Sequence, residues 1–261
     1  MTNEHHTLAL DGQRALITGA SEGIGLGIAQ AMVRAGADVM IAARRRPQLE
    51  AAQKELQNLA HPDQNIEIVE VDIRQPESVA AMFERVDSEF GELNIFVANA
   101  GSGSMVPFLE MTEEIWQSTL DLNLNGTFRC CHQAATRMAT RADRQQNAAI
   151  LVVSSVRALG TRPGTIHYAT TKAGLNQFVR VAAYELAGAG VRVNALSPGI
   201  TATPMALERN PETFAKMAAT VPLGHAGSVE DMGAAAVYLS SPAAGFVTGV
   251  NHIVDGGESL Y

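Results

Sequence analysis

Short apolar runs rich in β-branched residues recur along the chain, and segments with helical spacing separate them. The runs are Arg14–Thr18, Asp38–Ala42, Ile66–Val71, Asn94–Ala98, Ala149–Ser154, Val191–Leu196 and Asn251–Val254. Nearly continuous apolarity predicts strands that are buried on both faces. Strands that alternate with helices predict parallel pairing through right-handed helical crossovers. We therefore expect an α/β fold with a doubly wound, mostly seven-stranded parallel sheet and helices on both faces.

The segments between the runs carry helix signals. One apolar stripe at helical spacing consists of Val79, Phe83, Val86 and Phe90. Thr112 precedes two glutamates, as expected where a side-chain oxygen caps a helix and acids follow it. The segment Ser228–Asp231 resembles a capping box at the start of another helix.

Length and composition favour one compact unit. The chain has 261 residues, 46% of them apolar, with no internal repeat or linker-like tract. We expect a single domain over 1–261, with a short disordered N-terminus over about 1–10. The segment 201–227 contains three prolines around a short helical stretch, and we expect it to form a mobile flap over a substrate.

Charge and cysteine content exclude several classes of protein. The net charge of −8 gives no overall attraction for nucleic acid or for an anionic membrane surface. The only cysteines, Cys130 and Cys131, are adjacent, which argues against a disulfide framework and against a zinc or other metal site. No apolar run is long enough for a signal peptide or a membrane span, so we expect a cytoplasmic protein.

The first run leads into a glycine-rich turn that opens a helix. Glycines there allow a tight turn and close approach of the backbone to a pyrophosphate, while the helix N-terminus supplies free N–H groups. A glycine-rich turn without a ligand is the alternative, but the position between the first strand and the first helix favours a dinucleotide site. The predicted cofactor contacts in this turn are Gly19, Ser21, Glu22, Gly23, Ile24 and Gly25.

The end of the second run indicates which dinucleotide binds. An acid there would hold a ribose 2′-hydroxyl, whereas an arginine would accept a 2′-phosphate. The turn contains Arg44, Arg45 and Arg46 and no acid, which favours NADP over NAD and makes Arg44 and Arg45 the candidate ligands. A solvated basic helix start is the alternative use of this cluster, and the negative charge of nearby Glu22 complicates the choice.

Tyr168 and Lys172 lie four residues apart in a helical segment, so both side chains can face one pocket. A phenol with a pKa near about 10 is a poor base at neutral pH. A positive charge at about 4 Å favours the phenolate by roughly 4 kcal/mol at an effective dielectric of about 20, which is about three pKa units. The pair predicts a proton-transfer site with a lowered tyrosine pKa. An ordinary tyrosine–lysine pair on a helix surface is the alternative.

Polar residues also follow strands at the edge where open parallel sheets bind ligands. Ser155 follows the fifth run and is placed to hydrogen-bond a carbonyl oxygen, although a serine that simply ends a strand fits equally well. Asn99, Ala100 and Gly101 follow the fourth run, where a plain turn is the alternative. Asn123 is an amide in an apolar helical segment, which is unusual unless the amide is hydrogen-bonded.

Together these motifs strongly resemble the short-chain dehydrogenase/reductase family over nearly the whole chain. They are Thr18–Gly25, Asp72, Asn99–Gly101, Asn123, Ser155, Tyr168 with Lys172, Ser197–Gly199 and Val254–Gly257. Each motif is modest singly, but their order and spacing are specific. The chain departs from the pattern at Ala98, where a second asparagine often precedes Asn99. The resemblance is to the 3-oxoacyl-ACP reductase and sugar dehydrogenase branches, and it implies a Rossmann fold that binds NADP or NAD.

The resemblance implies a role for each matched residue. Tyr168 is the expected general acid/base and also an expected cofactor contact, and Ser155 orients the substrate oxygen. Lys172 holds the cofactor ribose and lowers the tyrosine pKa. Asn123 supports a water-linked proton relay from Lys172. The further implied cofactor contacts are Asp72 at the adenine, Ile73, Asn99, Ala100, Gly101, Pro198, Gly199, Ile200, and Thr203 at the nicotinamide amide.

The implied reaction is reversible hydride transfer between nicotinamide C4 and a carbonyl carbon, coupled to proton transfer through Tyr168. The substrate pocket is expected from Gly103–Phe108, Arg157–His167 and the flap. Arg157 and Arg162 are candidates for an anionic substrate, although we expect at least one of them to be solvent-exposed. The substrate candidates are a 3-oxoacyl thioester and a sugar or polyol, followed by a steroid or a small ketone.

Two readings outside this enzyme class stay open. A catalytically silent dinucleotide sensor would not need the serine–tyrosine–lysine set, and a methyltransferase on a similar sheet would have no use for it. Family members commonly form homotetramers, so the resemblance implies the same assembly here, with Val237–Gly257 at the interface.

Overall fold

The computed structural model describes residues 7–141 and 147–260. Its sheet has seven parallel strands in the spatial order β3-β2-β1-β4-β5-β6-β7. The strands are β1 Arg14–Thr18, β2 Asp38–Ala43, β3 Ile66–Glu70, β4 Ile95–Ala98, β5 Ala149–Val153, β6 Arg192–Pro198 and β7 Asn251–Val254. Each predicted run overlaps one of these strands, and the bounds differ by one or two residues at most. The predicted doubly wound α/β fold is confirmed.

The crossovers between strands are helical. The helices are α1 Gly23–Arg34, α2 Arg46–Gln57, α3 Pro76–Glu89, α4 Glu113–Leu120, α5 Thr127–Ala139, α6 Ile166–Leu186, α7 Pro204–Arg209, α8 Pro211–Ala218 and α9 Val229–Ser240. A π-helical turn over Asp121–Gly126 joins α4 to α5. Two predicted helix starts are confirmed, since Thr112 Oγ1 accepts from Ile115 N at 3.2 Å and Ser228 forms a capping box with Asp231.

The strands are apolar on both faces because each face is covered by helices. Along β1, Leu16 packs into the layer that contains Phe83 of α3 and Leu175 of α6. The next residue, Ile17, packs into the opposite layer with Ile28 of α1. Burying one such large apolar side chain contributes about 1.5–3 kcal/mol to folding, so strand apolarity fixes the two-layer arrangement.

The structure adds to the predictions for the N-terminus and for the flap. Within the predicted disordered N-terminus, Leu10 is fully buried and its N donates to Ala35 O at 2.7 Å, so the prediction is wrong there because the chain packs before β1 begins. Residues 1–6 lie outside the described part of the chain.

The predicted flap contains α7 and α8, and a parallel bridge between Thr201 and Gly227 joins its two ends. Within 7–141 and 147–260, no helix has the length and apolarity needed to cross a bilayer.

Candidate active site

A cavity of about 850 Å³ opens at the carboxyl ends of the central strands. Parallel sheets of this kind bind ligands at that edge, where the strand order reverses around β1 and β4. The predicted site residues that line the cavity are Gly19, Glu22, Gly23, Ile24, Gly25, Asn99, Gly101, Ser155, Tyr168, Lys172, Pro198, Gly199 and Thr203. The fold thus brings together residues that are more than 180 positions apart in the sequence.

Other predicted site residues lie outside the wall of this cavity. They are Ser21, Arg44, Arg45, Asp72, Ile73, Ala100, Asn123 and Ile200. Asp72 accepts hydrogen bonds from the Arg74 guanidinium, which lowers the pKa of the Asp72 carboxyl. The Ile73 side chain is buried, and a Cβ on Gly126 would lie 2.8 Å from its Cδ1. These two side chains are therefore engaged with the protein itself.

Three positions of the glycine-rich turn require glycine, either for a positive φ or for a close contact. Gly19 has a φ of +66° and Gly23 a φ of +59°, in the left-handed region that favours glycine. A Cβ on Gly25 would lie 2.4 Å from both Asn99 Nδ2 and Gly19 O. Asn99 Nδ2 donates to Thr18 O at 3.0 Å and to Gly19 O at 2.9 Å, so this amide ties the end of β4 to the turn.

Helix α1 begins inside the cavity without a side-chain cap. It starts at Gly23, Glu22 makes no capping hydrogen bond, and the first turn contains no acid. Gly23, Ile24 and Gly25 all line the cavity. Free N–H groups and the positive end of a helix dipole at a glycine turn suit a pyrophosphate. The residues present therefore fit a nicotinamide dinucleotide.

The three arginines after β2, Arg44, Arg45 and Arg46, differ in their salt bridges. Arg45 Nη2 pairs with Glu22 Oε1 at 2.8 Å, and both side chains are about half exposed. Arg46 pairs with Glu50 at 2.8 Å. Among the residues that the structure describes, no carboxylate lies within salt-bridge distance of Arg44. Arg44 is thus the member of the cluster without a salt bridge, although its charge also contributes to the lowered pKa of the Asp72 carboxyl.

Lys172 is anchored by burial and by one backbone carbonyl. Its Nζ donates to Val153 O at 2.7 Å and lies 5.6 Å from the centroid of the Tyr168 ring. The side chain is almost fully buried, and this burial lowers the pKa of Lys172 from 10.5 to about 8. The ammonium thus shares the cavity with Tyr168 but is fixed to β5.

The pKa of Tyr168 is raised, because burial penalises the phenolate. A hydrogen bond with the Ser155 side chain and the charge of Arg157 act in the opposite direction and are weaker. A lysine charge at about 4 Å without desolvation predicts a lowered pKa, and burial of the phenol makes that prediction wrong. The pKa of Tyr168 is therefore raised and not lowered. The nearby charge that favours the phenolate is that of Arg157, not that of Lys172.

Asn123 lies in the π-helical turn and is fully buried. Its Oδ1 accepts from Ser102 N at 2.9 Å, while its Nδ2 donates to Ser102 O at 2.8 Å and to Thr171 Oγ1 at 3.2 Å. The amide therefore connects the loop after β4 to α6, one residue before Lys172. These contacts explain how an amide is accommodated in an apolar segment.

The loop after β4 packs directly on Tyr168, which sequence reasoning did not reveal. A Cβ on Gly103 would lie 2.7 Å from Tyr168 Cδ2, so only glycine allows this contact. Ser104 Oγ lies 3.1 Å from Nε2 of His167, which is fully buried. Burial also lowers the pKa of His167. The sequence gave no sign of the serine partner of His167.

Glu258 is a second residue that sequence reasoning missed. Its Oε1 pairs with Arg157, and its Oε2 accepts from Ile200 N at 2.8 Å. Asp255 accepts from Gly257 N at 2.9 Å and from Ser259 N at 2.7 Å, which shapes the turn that presents Glu258. The pair spans about a hundred residues, so no local pattern could have predicted it.

Arg157 and Arg162 both line the cavity, as the sequence predicted for the substrate pocket. We expected at least one of them to be solvent-exposed, and this is wrong, because both are partly buried. Arg157 is held inward by Glu258. Arg162 Nη2 lies 3.1 Å from Met217 Sδ of α8, so the flap covers it. Among the described residues, no group of histidine, cysteine, aspartate and glutamate has a geometry that could hold a metal ion.

Known proteins resemble this chain over nearly its whole length. The family model described as Enoyl-(Acyl carrier protein) reductase matches residues 19–259. The chain is 34% identical to 3beta-hydroxysteroid dehydrogenase 1 of Eggerthella lenta, over 97% of this chain and 95% of that protein. It is 35% identical to L-rhamnose-1-dehydrogenase of Scheffersomyces stipitis, over 95% of this chain and 96% of that protein.

The fold is similarly matched. The crystal structure of a short-chain type dehydrogenase/reductase from Mycobacterium marinum aligns with a TM-score of 0.90 and 32% identity, covering 97% of this chain and 98% of that one. The protein is therefore an oxidoreductase of the class that acts on CH–OH groups with NAD(P). It belongs to the short-chain dehydrogenase/reductase family.

Proposed function

We propose that the protein is an NADP(H)-dependent oxidoreductase that interconverts a secondary alcohol and a ketone, with Tyr168 as general acid/base. The observation that carries this proposal is the shared cavity. Ser155, Tyr168 and Lys172 line the same space as the uncapped start of α1. A proton donor and a dinucleotide site in one cavity are the two parts that carbonyl reduction requires.

The raised pKa of Tyr168 determines what its hydroxyl does at neutral pH. The phenol is protonated there, so its O–H donates to the substrate oxygen when a ketone is reduced. Ser155, which hydrogen-bonds Tyr168, orients that oxygen. Arg157 stabilises negative charge that develops on the tyrosine oxygen. Lys172 has a pKa of about 8 and is mostly charged at pH 7, where it donates to Val153 O.

The cofactor would lie along the floor of the cavity. Gly19 to Gly25 would hold its pyrophosphate, Lys172 its nicotinamide ribose, and Pro198, Gly199 and Thr203 its nicotinamide end. When bound, NADPH supplies the hydride that the ketone carbon accepts. Asn99 keeps the glycine turn in place through its two hydrogen bonds to the backbone.

The choice of NADP rests on Arg44. Its guanidinium is exposed and has no carboxylate partner among the described residues, whereas Arg45 shares its charge with Glu22. A 2′-phosphate on Arg44 would gain a charge-assisted hydrogen bond. Arg44→Ala should lower kcat/KM for NADPH about 10- to 100-fold and leave kcat/KM for NADH nearly unchanged.

The matched control for Arg44 is Arg46→Ala, since Arg46 is already paired with Glu50. This variant should keep the ratio of kcat/KM for the two cofactors close to that of the unaltered protein. A clear preference of the unaltered protein for NADH would contradict the NADP assignment, and the alternative would then be the same chemistry with NAD on a sugar or polyol.

The substrate candidates come from the sequence and from the names of the relatives. Those names mention a hydroxysteroid and L-rhamnose, and the sequence pattern adds a 3-oxoacyl thioester. The test is a panel of ketones and secondary alcohols from each class, followed by the absorbance of NADPH. We expect turnover of at least one class. If both cofactors bind and nothing is turned over, the silent-sensor alternative replaces the proposal.

We also propose the homotetramer that the family resemblance implies. Large apolar side chains are exposed on two surfaces. One surface includes Tyr184 of α6, and the other includes Phe246, which is fully exposed, and Ile253 of β7. Apolar patches of this kind mark contacts between proteins. Light scattering on a size-exclusion column should give four times the mass of one chain, and a monomer would contradict the proposal.

A further inference from the structure

The substrate end of the cavity contains two guanidinium groups in largely apolar surroundings. Arg157 and Arg162 line this end together with Met205, Phe214 and Met217. A buried or half-buried cation is costly unless it is paired with an anion or hydrogen-bonded. The two arginines therefore need counter-charges, but only Arg157 has a carboxylate partner among the described residues.

Arg157 has its counter-charge within the protein. Glu258 pairs with it through Oε1, and the other carboxylate oxygen is occupied by Ile200 N at 2.8 Å. Both side chains are mostly buried, with 21% and 12% of their surface exposed. Each oxygen of this carboxylate thus has a partner within the protein, and Arg162 is not among these partners.

Arg162 has no such partner. Its Nη2 lies 3.1 Å from Met217 Sδ, and a thioether sulfur is only a weak acceptor. In the part of the chain that the structure describes, no carboxylate lies within salt-bridge distance of Arg162. A planar fork of five donors that faces a cavity with one weak acceptor is suited to a carboxylate or phosphate.

The backbone around Arg162 is fixed relative to Tyr168. Arg162 O accepts from Thr165 N at 3.3 Å and from Thr165 Oγ1 at 2.7 Å, which forms a tight turn just before α6. Gly164 O in the same turn accepts from Val106 N at 2.9 Å, so the turn is also tied to the loop beside Tyr168. Arg162 thus holds a defined position with respect to the reacting hydroxyl.

The charge balance selects the kind of anion. Two guanidiniums and one carboxylate leave a single positive charge at this end of the cavity. The other charged lining residues are engaged elsewhere, since Glu22 pairs with Arg45 and Lys172 binds Val153 O. We propose that the substrate carries a carboxylate that binds Arg162, so that the enzyme acts on a hydroxy acid and the corresponding keto acid. This inference rests on the proposed oxidoreductase function.

The test compares acids with their methyl esters. Hydroxy acids and keto acids of three to eight carbons, and the methyl ester of each, are assayed by NADPH absorbance with the unaltered protein, Arg162→Gln and Arg162→Lys. The ratio of kcat/KM for acid over ester should fall about 10- to 100-fold in Arg162→Gln, because a charge-assisted hydrogen bond is lost. Arg162→Lys should lose less. Arg180→Gln is the control, since Arg180 is exposed on α6 and does not line the cavity.

The outcomes separate this inference from the function on which it rests. Equal turnover of acid and ester, unchanged in Arg162→Gln, overturns the carboxylate assignment and leaves the oxidoreductase function intact. A hydroxy phosphate ester that is preferred over every carboxylate also overturns it. No turnover of any ketone or alcohol, with both cofactors bound, counts against the proposed function.

A second measurement does not depend on turnover. Phenylglyoxal modifies arginines, and mass spectrometry of the peptide that contains Arg162 follows the reaction. In the presence of cofactor, a keto acid should slow modification of Arg162, and its methyl ester should not. Equal protection by acid and ester would overturn the inference even if the true substrate were absent from the panel.

Discussion

The two ends of the cavity are built in different ways. At the cofactor end, a turn of seven residues from Gly19 to Gly25 meets one amide, Asn99, and the contacts are mostly backbone contacts. At the substrate end, the walls come from the loop after β4, the loop after β5 that carries Ser155 and Arg157, the turn before α6 and the flap. Side-chain contacts such as that between Arg157 and Glu258 of the C-terminal turn hold these segments in place.

This difference indicates which residues of the cavity are required for the fold of the site and which can be exchanged. The cofactor end depends on residues without a side chain, because a Cβ at Gly25 would overlap Asn99 and Gly19. The substrate end depends on which side chains the loops carry, and loops tolerate exchange while the sheet stays the same. We therefore expect substitutions at the first end to affect every substrate alike and those at the second end to affect substrates selectively.

Tyr168→Phe should have the largest effect, and it should act on the reaction alone. The variant removes the proton donor, so kcat should fall about 10²- to 10⁴-fold. The cofactor Kd, measured from the fluorescence of bound NADPH, should stay within about twofold, since the glycine turn and Asn99 are untouched. Tyr184→Phe is the matched control, because Tyr184 is 88% exposed on the same helix.

Two outcomes of that experiment would break the comparison between the ends. Near-normal turnover in Tyr168→Phe would remove Tyr168 from the mechanism. A large rise in the cofactor Kd would mean that the two ends are coupled through the tyrosine and cannot be treated separately.

Gly25→Ala should act on the cofactor end alone. The added Cβ would lie 2.4 Å from Asn99 Nδ2 and from Gly19 O, so the turn must shift away from the position that suits a pyrophosphate. We expect the cofactor Kd to rise about 100-fold and the free energy of unfolding to fall by about 1–3 kcal/mol. Gly188→Ala is the control, since a Cβ there would meet no atom within 4 Å. An unchanged Kd would show that backbone contact does not define this end.

Lys172 lies between the two ends, and its burial makes a prediction about stability. Burial lowers its pKa from 10.5 to about 8 in the folded protein, while the unfolded chain keeps the ordinary value. Below about pH 8 both states hold the proton, and the buried ammonium destabilises the fold by a constant amount. Above that pH the folded state loses the proton first, so the unfolded state binds more protons and stability rises with pH.

The variant Lys172→Met has no such dependence and serves as the reference. Between about pH 8 and about pH 10, the free energy of unfolding of the unaltered protein should rise by about 2 kcal/mol relative to Lys172→Met. Urea unfolding at each pH gives the difference. A flat difference would mean that Lys172 keeps an ordinary pKa, and a falling one would mean that a partner stabilises its charge.

The sequence predicted the strands and the glycine-rich turn better than the contacts at the substrate end, for a physical reason. Strands buried on both faces must be apolar throughout, and a tight turn at a positive φ must contain glycine, so both features are visible over a few residues. The same holds for the caps at Thr112 and Ser228.

The features that sequence reasoning missed depend on distant partners. Glu258 contacts Arg157 and Ile200, and Gly103 packs against the ring of Tyr168. These partners are distant in the sequence, so no local pattern predicts either contact. The direction of the Tyr168 pKa was missed because spacing reports that a lysine is near but not how deeply a phenol is buried. Local sequence patterns thus do not predict properties that depend on burial or on contacts with distant residues.

Glu258→Gln should have the smallest effect, and it should be confined to the substrate end. The amide can still accept from Ile200 N, but it no longer balances the charge of Arg157. Arg157 favours the phenolate of Tyr168, so a freer Arg157 charge should lower the tyrosine pKa and move the pH profile of kcat toward lower pH. We expect kcat/KM at neutral pH to change by about tenfold or less, as for a partly screened charge pair.

A profile that keeps its midpoint would identify Glu258 as a structural tie only, since loss of packing alone would change the height of the profile and not its position. Glu185→Gln is the matched control, because Glu185 is exposed on α6 and does not line the cavity. The cofactor Kd should be the same in both variants. If Glu258→Gln raised it, the C-terminal turn would act on the cofactor end through Gly199 and Ile200, and the boundary between the two ends would have to move to include that loop.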